Sequence, residues 1–246
     1  MARPFPASTG RGVRVAVVDS GVHPDHPHID ASRIDAGVTI LADGTIEAGA
    51  DATLDRLGHG TAVTAAIQEK APDATCLPVR VFRDGLKTSA AALVTAIRWA
   101  VAQEAEIVNL SLGSINATHR DIFARVADEA VAAGILIVAA REANDLPCYP
   151  GALPQVLGVA PDWECPRERY RIETIDAQRT AIASGYPRAI PGVPLQRNLY
   201  GISFAVAQMS GFAALACERV GRVPSSDRAA AIHEALAQEA ALFSQT

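Results

Sequence analysis

The chain has no basic surplus. Its 22 Lys and Arg residues face 27 Asp and Glu, a formal net charge of −5. Proteins that grip phosphate backbones draw affinity from cations, so a nucleic-acid partner is not expected. No stretch approaches the roughly 18–20 apolar residues of a membrane span, and no membrane partner is expected either. The N-terminal MARPFPAST lacks an apolar run of signal-peptide length. Cysteine is scarce: Cys76, Cys148, Cys165 and Cys217 lie scattered, without CxxC spacing. In a chain with no secretory signal, that pattern predicts free buried thiols and a cytoplasmic location. There is no dense Asp/Asn loop of the kind calcium needs, and neither a metal nor a cofactor is expected. Internal repeats, low-complexity tracts and long linkers are missing as well.

What is present is ordinary globular material, 49% hydrophobic and 20% charged over 246 residues. That length and balance suit one domain with a sizeable core, spanning residues 1–246. Apolar, β-branched runs at 13–18 (VRVAVV), 75–82 (TCLPVRVF), 107–112 (IVNLSL), 135–139 (ILIVA) and 156–160 (VLGVA) read as strands buried on both faces. Between them lie segments of helical period. In 89–103, Leu93, Ile97, Ala100 and Val101 form one stripe, with Thr88 or Ser89 as cap. Residues 121–133 carry Ile122, Val126 and Ala130 on one face, with Gly134 as the stop. Further helices are expected at 205–220 and 227–242. Strand–helix alternation predicts an α/β fold with a mostly parallel central sheet flanked by helices, whose ligand site lies at the carboxyl ends of the strands.

Three polar clusters follow that rule. Asp19-Ser20-Gly21 ends the first strand, Gly58-His59-Gly60-Thr61 precedes an Ala-rich run, and Gly201-Ile202-Ser203-Phe204-Ala205 opens a helix. Each alone has an ordinary explanation: a turn, a surface histidine, an N-cap. Together they make an Asp, His, Ser set in that chain order.

In these motifs the chain resembles the subtilisin-like (subtilase) serine peptidases. Val108-Asn109-Leu110-Ser111-Leu112-Gly113 is similar to that family's substrate-binding strand. Tyr149-Pro150-Gly151-Ala152 is similar to its tyrosine-proline turn. The resemblance runs from about Gly12 to Val220 and implies the three-layer subtilisin-like fold and a serine endopeptidase acting on a peptide or protein substrate. It implies that Ser203 attacks the scissile carbonyl, that His59 carries its proton to the leaving amine, and that Asp19 orients His59. It also implies that the Ser203 amide is one oxyanion donor, and that Ser111, Leu112 and Gly113 pair with an extended peptide as an added strand.

The chain also departs from the family pattern. The oxyanion asparagine usual in an A-A-G-N segment is replaced by Ala140-Arg141-Glu142-Ala143-Asn144-Asp145. Asn144 is the only amide nearby and is the candidate donor, although it falls a residue or two late; the competing reading makes it a solvent-facing turn residue. The A-x-P-H usual after the serine is Ala205-Val206-Ala207-Gln208. Only residues 1–12 precede the first strand, so no folding pro-segment is expected, and a restricted substrate such as a precursor peptide follows from that. A catalytically weak peptide-binding homologue and a transpeptidase or cyclase on the same triad are the alternatives. Oligomeric state is not legible. His23, Asp25, His26, His28 and Asp30 lie in a proline-bearing extended loop that reads as surface rather than as a metal shell. Cys165, among charged neighbours, reads as an inert thiol.

Overall fold

The computed structural model describes residues 3–49, 51–194 and 197–243. The ends of the expected 1–246 span, residues 1–2 and 244–246, lie outside the described residues. The first half runs β1 (Arg14–Asp19), β2 (Val38–Ile40), β3 (Ile46–Glu47), α1 (His59–Lys70), β4 (Thr75–Arg80), α2 (Ala90–Ala102), β5 (Ile107–Leu110) and α3 (Arg120–Ala132). The second half runs β6 (Leu136–Ala140), β7 (Glu142–Ala143), β8 (Leu146–Pro147), β9 (Leu157–Pro161), β10 (Tyr170–Ile175), β11 (Gln178–Ala183), α4 (Ile202–Val220) and α5 (Ser225–Phe243).

Nine strands form one sheet in the order β10-β11-β9-β6-β5-β1-β4-β2-β3. The pairs from β11 through to β2 are parallel, and antiparallel β10 and β3 close the two edges. The sheet is therefore mixed but mostly parallel. Strand alternation divides the core in two. Val15, Val17, Ile107, Leu136 and Val138 pack with α1, α4 and α5. Ala16, Val18, Val108, Leu110, Ile137 and Ala139 pack with α2 and α3. A sheet apolar on both faces must be covered on both faces, and a three-layer α/β arrangement results.

The five apolar runs are the central strands, displaced by a residue or two at their ends. Ser89 caps α2 as expected, accepting a hydrogen bond from the Ala92 amide at 3.0 Å. The α4 helix starts at Ile202 rather than Ala205, which brings Ser203 into its first turn. The short or polar strands β2, β3, β7, β8, β10 and β11 carry no long apolar run and were not expected from the sequence. All four cysteines are buried and unbridged. Burial pushes the Cys76 thiol up to about 12 and raises that of Cys165, which is the environment of inert thiols.

Candidate active site

Asp19 is the last residue of β1 and shares a face with Val15 and Val17, so its carboxylate points to the α1/α4 layer. His59 is the first residue of α1. The two motifs meet at backbone distance: a Cβ on Gly60 would lie 2.3 Å from the Gly21 carbonyl oxygen, so only glycine fits there. Ser20 fastens the contact, accepting from the Gly60 amide at 2.8 Å and donating its hydroxyl to Asp55 at 2.8 Å.

Within this junction His59 Nδ1 lies 2.6 Å from Asp19 Oδ1, which also accepts from the Ser20 amide at 2.8 Å. Asp19 is fully buried, and its Oδ2 has no hydrogen-bond partner among the described residues. Burial works against the imidazolium of His59. The hydrogen bond and charge of Asp19, helped by the charge of Asp55, overcome it and raise the His59 pKa above 6.5. A carboxylate that fixes one ring nitrogen leaves the other free for proton transfer.

Ser203 lies in the first turn of α4. Its amide belongs to the N-terminal turn, whose N–H groups have no partner within the helix and sit at the positive end of the helix dipole. The Phe204 ring stands 5.7 Å from the His59 ring, centroid to centroid, so the start of α4 is docked on the histidine. Behind the serine runs a buried polar chain. The Ser210 hydroxyl donates to Asn109 Oδ1 at 3.0 Å, Asn109 Nδ2 donates to Ser111 Oγ at 3.2 Å, and Ser111 Oγ donates to the Ser203 carbonyl at 3.4 Å. It links β5, the segment after it and two positions of α4 about two turns apart.

Ser111, Leu112 and Gly113 follow β5 directly, next to the end of β1. Ser114 then pairs with Tyr149 in both directions, its amide donating to the Tyr149 carbonyl at 2.8 Å and its carbonyl accepting from the Tyr149 amide at 2.9 Å. That pairing holds the 111–113 edge against the segment after β8.

The chain leaves β6 through Arg141 and turns back as the β7–β8 hairpin, with Asn144 and Asp145 as its two tip residues at φ of 53° and 60°. Two consecutive left-handed residues are the signature of a type I′ turn, which favours Asn and Asp. Asn144 is exposed, and among the described residues no hydrogen bond joins it to Ser203 or His59. The backbone geometry is that of the turn reading. Arg141 is buried at the root of the hairpin between Glu142 and Asp176.

Asp55 was missed from the sequence. It is buried and accepts five hydrogen bonds, from Ser20 Oγ, the amides of Leu57, Gly58 and Thr61, and Thr61 Oγ1. It organises the whole turn that delivers His59. An acidic residue three positions before a Gly-His-Gly run and six before a threonine was the available signal. Gln208, in place of the family's histidine, is fully buried and donates to the carbonyls of Ser184 at 2.8 Å and Tyr186 at 3.1 Å. It ties α4 to the segment that follows β11. In the histidine loop, His26 Nδ1 accepts from the His28 amide and Asp30 caps a short 3₁₀ turn. Among the described residues no group of three His, Cys, Asp or Glu is arranged to hold a metal.

A mostly parallel sheet between two helical layers, with the Asp19 and His59 motifs at its carboxyl edge and the Ser203 turn packed beside them, defines a subtilisin-like three-layer α/β architecture. The subtilase (peptidase S8) family model matches residues 10–160, and the chain belongs to that family of serine peptidases. Thermitase from Thermoactinomyces vulgaris is 28% identical over 231 residues, covering 90% of this chain and 80% of its own. Subtilisin NAT from Bacillus subtilis subsp. natto is 25% identical over 230 residues, covering 84% of this chain. This chain spans 56% of the length of subtilisin NAT, little more than half. Among solved structures, a lanthipeptide protease aligns with a TM-score of 0.68 at 23% identity, over 93% of this chain and 80% of its own. Fervidolysin from Fervidobacterium pennivorans aligns at 0.60 and 19% identity, over 90% of this chain and 38% of its own. At those identities the structural likenesses speak for the fold.

Proposed function

We propose that the chain is a serine endopeptidase that cleaves peptide bonds through Asp19, His59 and Ser203. The observation that carries this reading is the 2.6 Å contact between His59 Nδ1 and the buried Asp19 carboxylate, with the first turn of α4 packed on the same imidazole. In the proposed cycle His59 Nε2 removes the Ser203 hydroxyl proton as Oγ adds to the scissile carbonyl. Asp19 stabilises the imidazolium that forms, and the proton passes to the leaving amine as the C–N bond breaks. Water, deprotonated by the same imidazole, then releases the acyl group. The oxyanion falls to the Ser203 amide and the N-terminus of α4, because Asn144 sits at an exposed hairpin tip. An extended substrate adds as a strand along 111–113.

A hole short of one side-chain donor fits a slow, specialised enzyme, and we propose a restricted substrate, such as a precursor peptide, and a cytoplasmic location. The same shortfall favours a second reading, a peptide-binding homologue with little turnover. Fluorophosphonate labelling separates the two. Stoichiometric modification mapped to Ser203, together with cleavage of a panel containing casein and a lanthipeptide precursor, supports the first. Failure to label under conditions that label subtilisin overturns it. Mass spectrometry of the products tells hydrolysis from amine transfer.

A further inference from the structure

Beside the triad lies a cavity of about 310 Å³ that the proposed chemistry does not use. One wall is the start of α1, Thr61, Ala62 and Ala65, with Gly58 just before His59. The others are the loop bearing His23, His26 and His28, and the segment containing Arg188, Ile190 and Leu199 that leads to Ser203. The histidine loop is anchored at both ends. The His23 amide donates to Thr61 Oγ1 at 3.0 Å, and Asp30 exchanges two hydrogen bonds with Gln68 of α1, at 2.9 and 3.1 Å. The third wall is tied across, Arg188 Nη1 donating to the His28 carbonyl at 3.0 Å. The cavity is thus preformed.

Its chemistry is lopsided. The floor is apolar, while Arg56, Arg188 and three histidines stand around it. The single carboxylate in the lining is Asp55, whose oxygens already accept five hydrogen bonds from its own turn. Among the described residues, neither Arg56 nor Arg188 pairs with a carboxylate. Burial first, then the charges of Arg188 and His26, lower the pKa of His28 against the opposing pull of Glu69. The guanidinium groups of Arg56 and Arg188 carry their charge at any ordinary pH.

Position completes the argument, which rests on the peptidase reading above. The general acid protonates the departing amine, so the leaving half of the substrate passes on the His59 side of the scissile bond. The 111–113 edge lies on the β5 side of β1, whereas this cavity flanks His59 along α1. We infer that the cavity receives a glutamate side chain from the leaving half of the substrate, its methylenes against Ala62, Ala65 and Leu199 and its carboxylate drawn to Arg56 and Arg188. A carboxylate facing two guanidinium groups that have no carboxylate partner among the described residues, beside an apolar wall, gains both charge and packing, and a lysine there is repelled.

Two measurements test this. Ser203→Ala protein is titrated with the tripeptides Ala-Glu-Ala, Ala-Gln-Ala and Ala-Lys-Ala, each with a free N-terminus as in a leaving fragment, while NMR follows the imidazole signals of His23, His26 and His28. Saturable shifts with the glutamate peptide alone, abolished by Arg56→Gln together with Arg188→Gln, are expected. No shift, or equal shifts with lysine, overturns the inference whether or not the enzyme cleaves anything. Wild-type cleavage of a peptide library should enrich glutamate about tenfold over lysine within the first few positions after the cut, and the double variant should lose that preference. Cleavage without the preference sinks the cavity assignment and leaves the triad standing. Absence of fluorophosphonate labelling sinks the triad, and the tripeptide titration still decides the cavity.

Discussion

Asp55 and Thr61 are joined twice, the Thr61 amide reaching Asp55 Oδ2 at 2.9 Å and the Thr61 hydroxyl reaching the same oxygen at 2.6 Å. The pair closes the turn that presents His59, so Asp55 is a positioning residue for the proposed triad.

Asp55→Ala leaves several buried donors without an acceptor, each costing about 1–3 kcal/mol when unpaired. Urea unfolding should show a loss of at least ~2 kcal/mol. Burial opposes ionisation of Asp55, yet its hydrogen bonds from Thr61, Leu57 and Ser20 hold the carboxyl below 3.8. A depressed carboxyl contributes stability above its unfolded pKa that is lost as pH falls through the folded one. Asp55→Asn should flatten that acid limb and lower the labelling rate at Ser203. Unchanged acid unfolding in Asp55→Asn would remove this account.

His59 must be neutral to take a proton. With its pKa raised above 6.5, the fluorophosphonate labelling rate should climb with pH through a midpoint above that value. Asp19→Asn removes the leading cause of the rise, so the midpoint should move down and the rate should fall by orders of magnitude. The linkage has the opposite sign to that of Asp55. Stability from protonated His59 is complete below 6.5 and is lost as pH rises through the folded pKa. A midpoint unmoved in Asp19→Asn would contradict the pairing.

Ser203→Ala removes one half-buried hydroxyl and no core volume. Labelling and cleavage should vanish, while the thermal midpoint should stay within what about 0.5 kcal/mol allows. Cleavage at the wild-type rate would refute the nucleophile.

Asn144→Ala separates turn from oxyanion donor. A side-chain donor lost from the hole costs about 10²–10³ in kcat. A turn residue in left-handed backbone costs only stability, of order 1 kcal/mol when alanine replaces asparagine. From the hairpin geometry we expect kcat within about threefold of wild type and a small drop in Tm. A kcat loss of a hundredfold would restore Asn144 to the oxyanion hole.

Gly113→Ala probes the substrate edge. Its Cβ would lie 2.3 Å from the Tyr149 carbonyl oxygen and 2.8 Å from Cys148 Sγ, so the 111–113 segment must move. Displacing the segment proposed to pair with substrate should raise KM strongly, while the pH midpoint set by His59 and Asp19 stays put. An unchanged KM would mean that peptides bind elsewhere.

The sequence by itself determined the sheet and the triad candidates. The five central strands are legible because strands covered on both faces need unbroken apolar runs, such as VRVAVV at 13–18 and ILIVA at 135–139. Asp19, His59 and Ser203 are legible because a buried strand end, a Gly-His-Gly approach and a helix start each demand particular residue types at fixed offsets. The tertiary structure decided what depends on partners distant in the chain. The edge strand β10 bears a polar face and pairs with β11, which carries no long apolar run and is placed because it finds β9. Asp55 reads as any turn aspartate until five donors converge on it. Asn144, a residue or two late for the family motif, became a hairpin tip once Glu142-Ala143 paired with Leu146-Pro147. The histidine loop, composed like a metal site, became one wall of a cavity because Thr61 and Gln68 hold it to α1 and Arg188 crosses to it. Local composition fixes which groups are available; only the packing of separate segments fixes which of them meet.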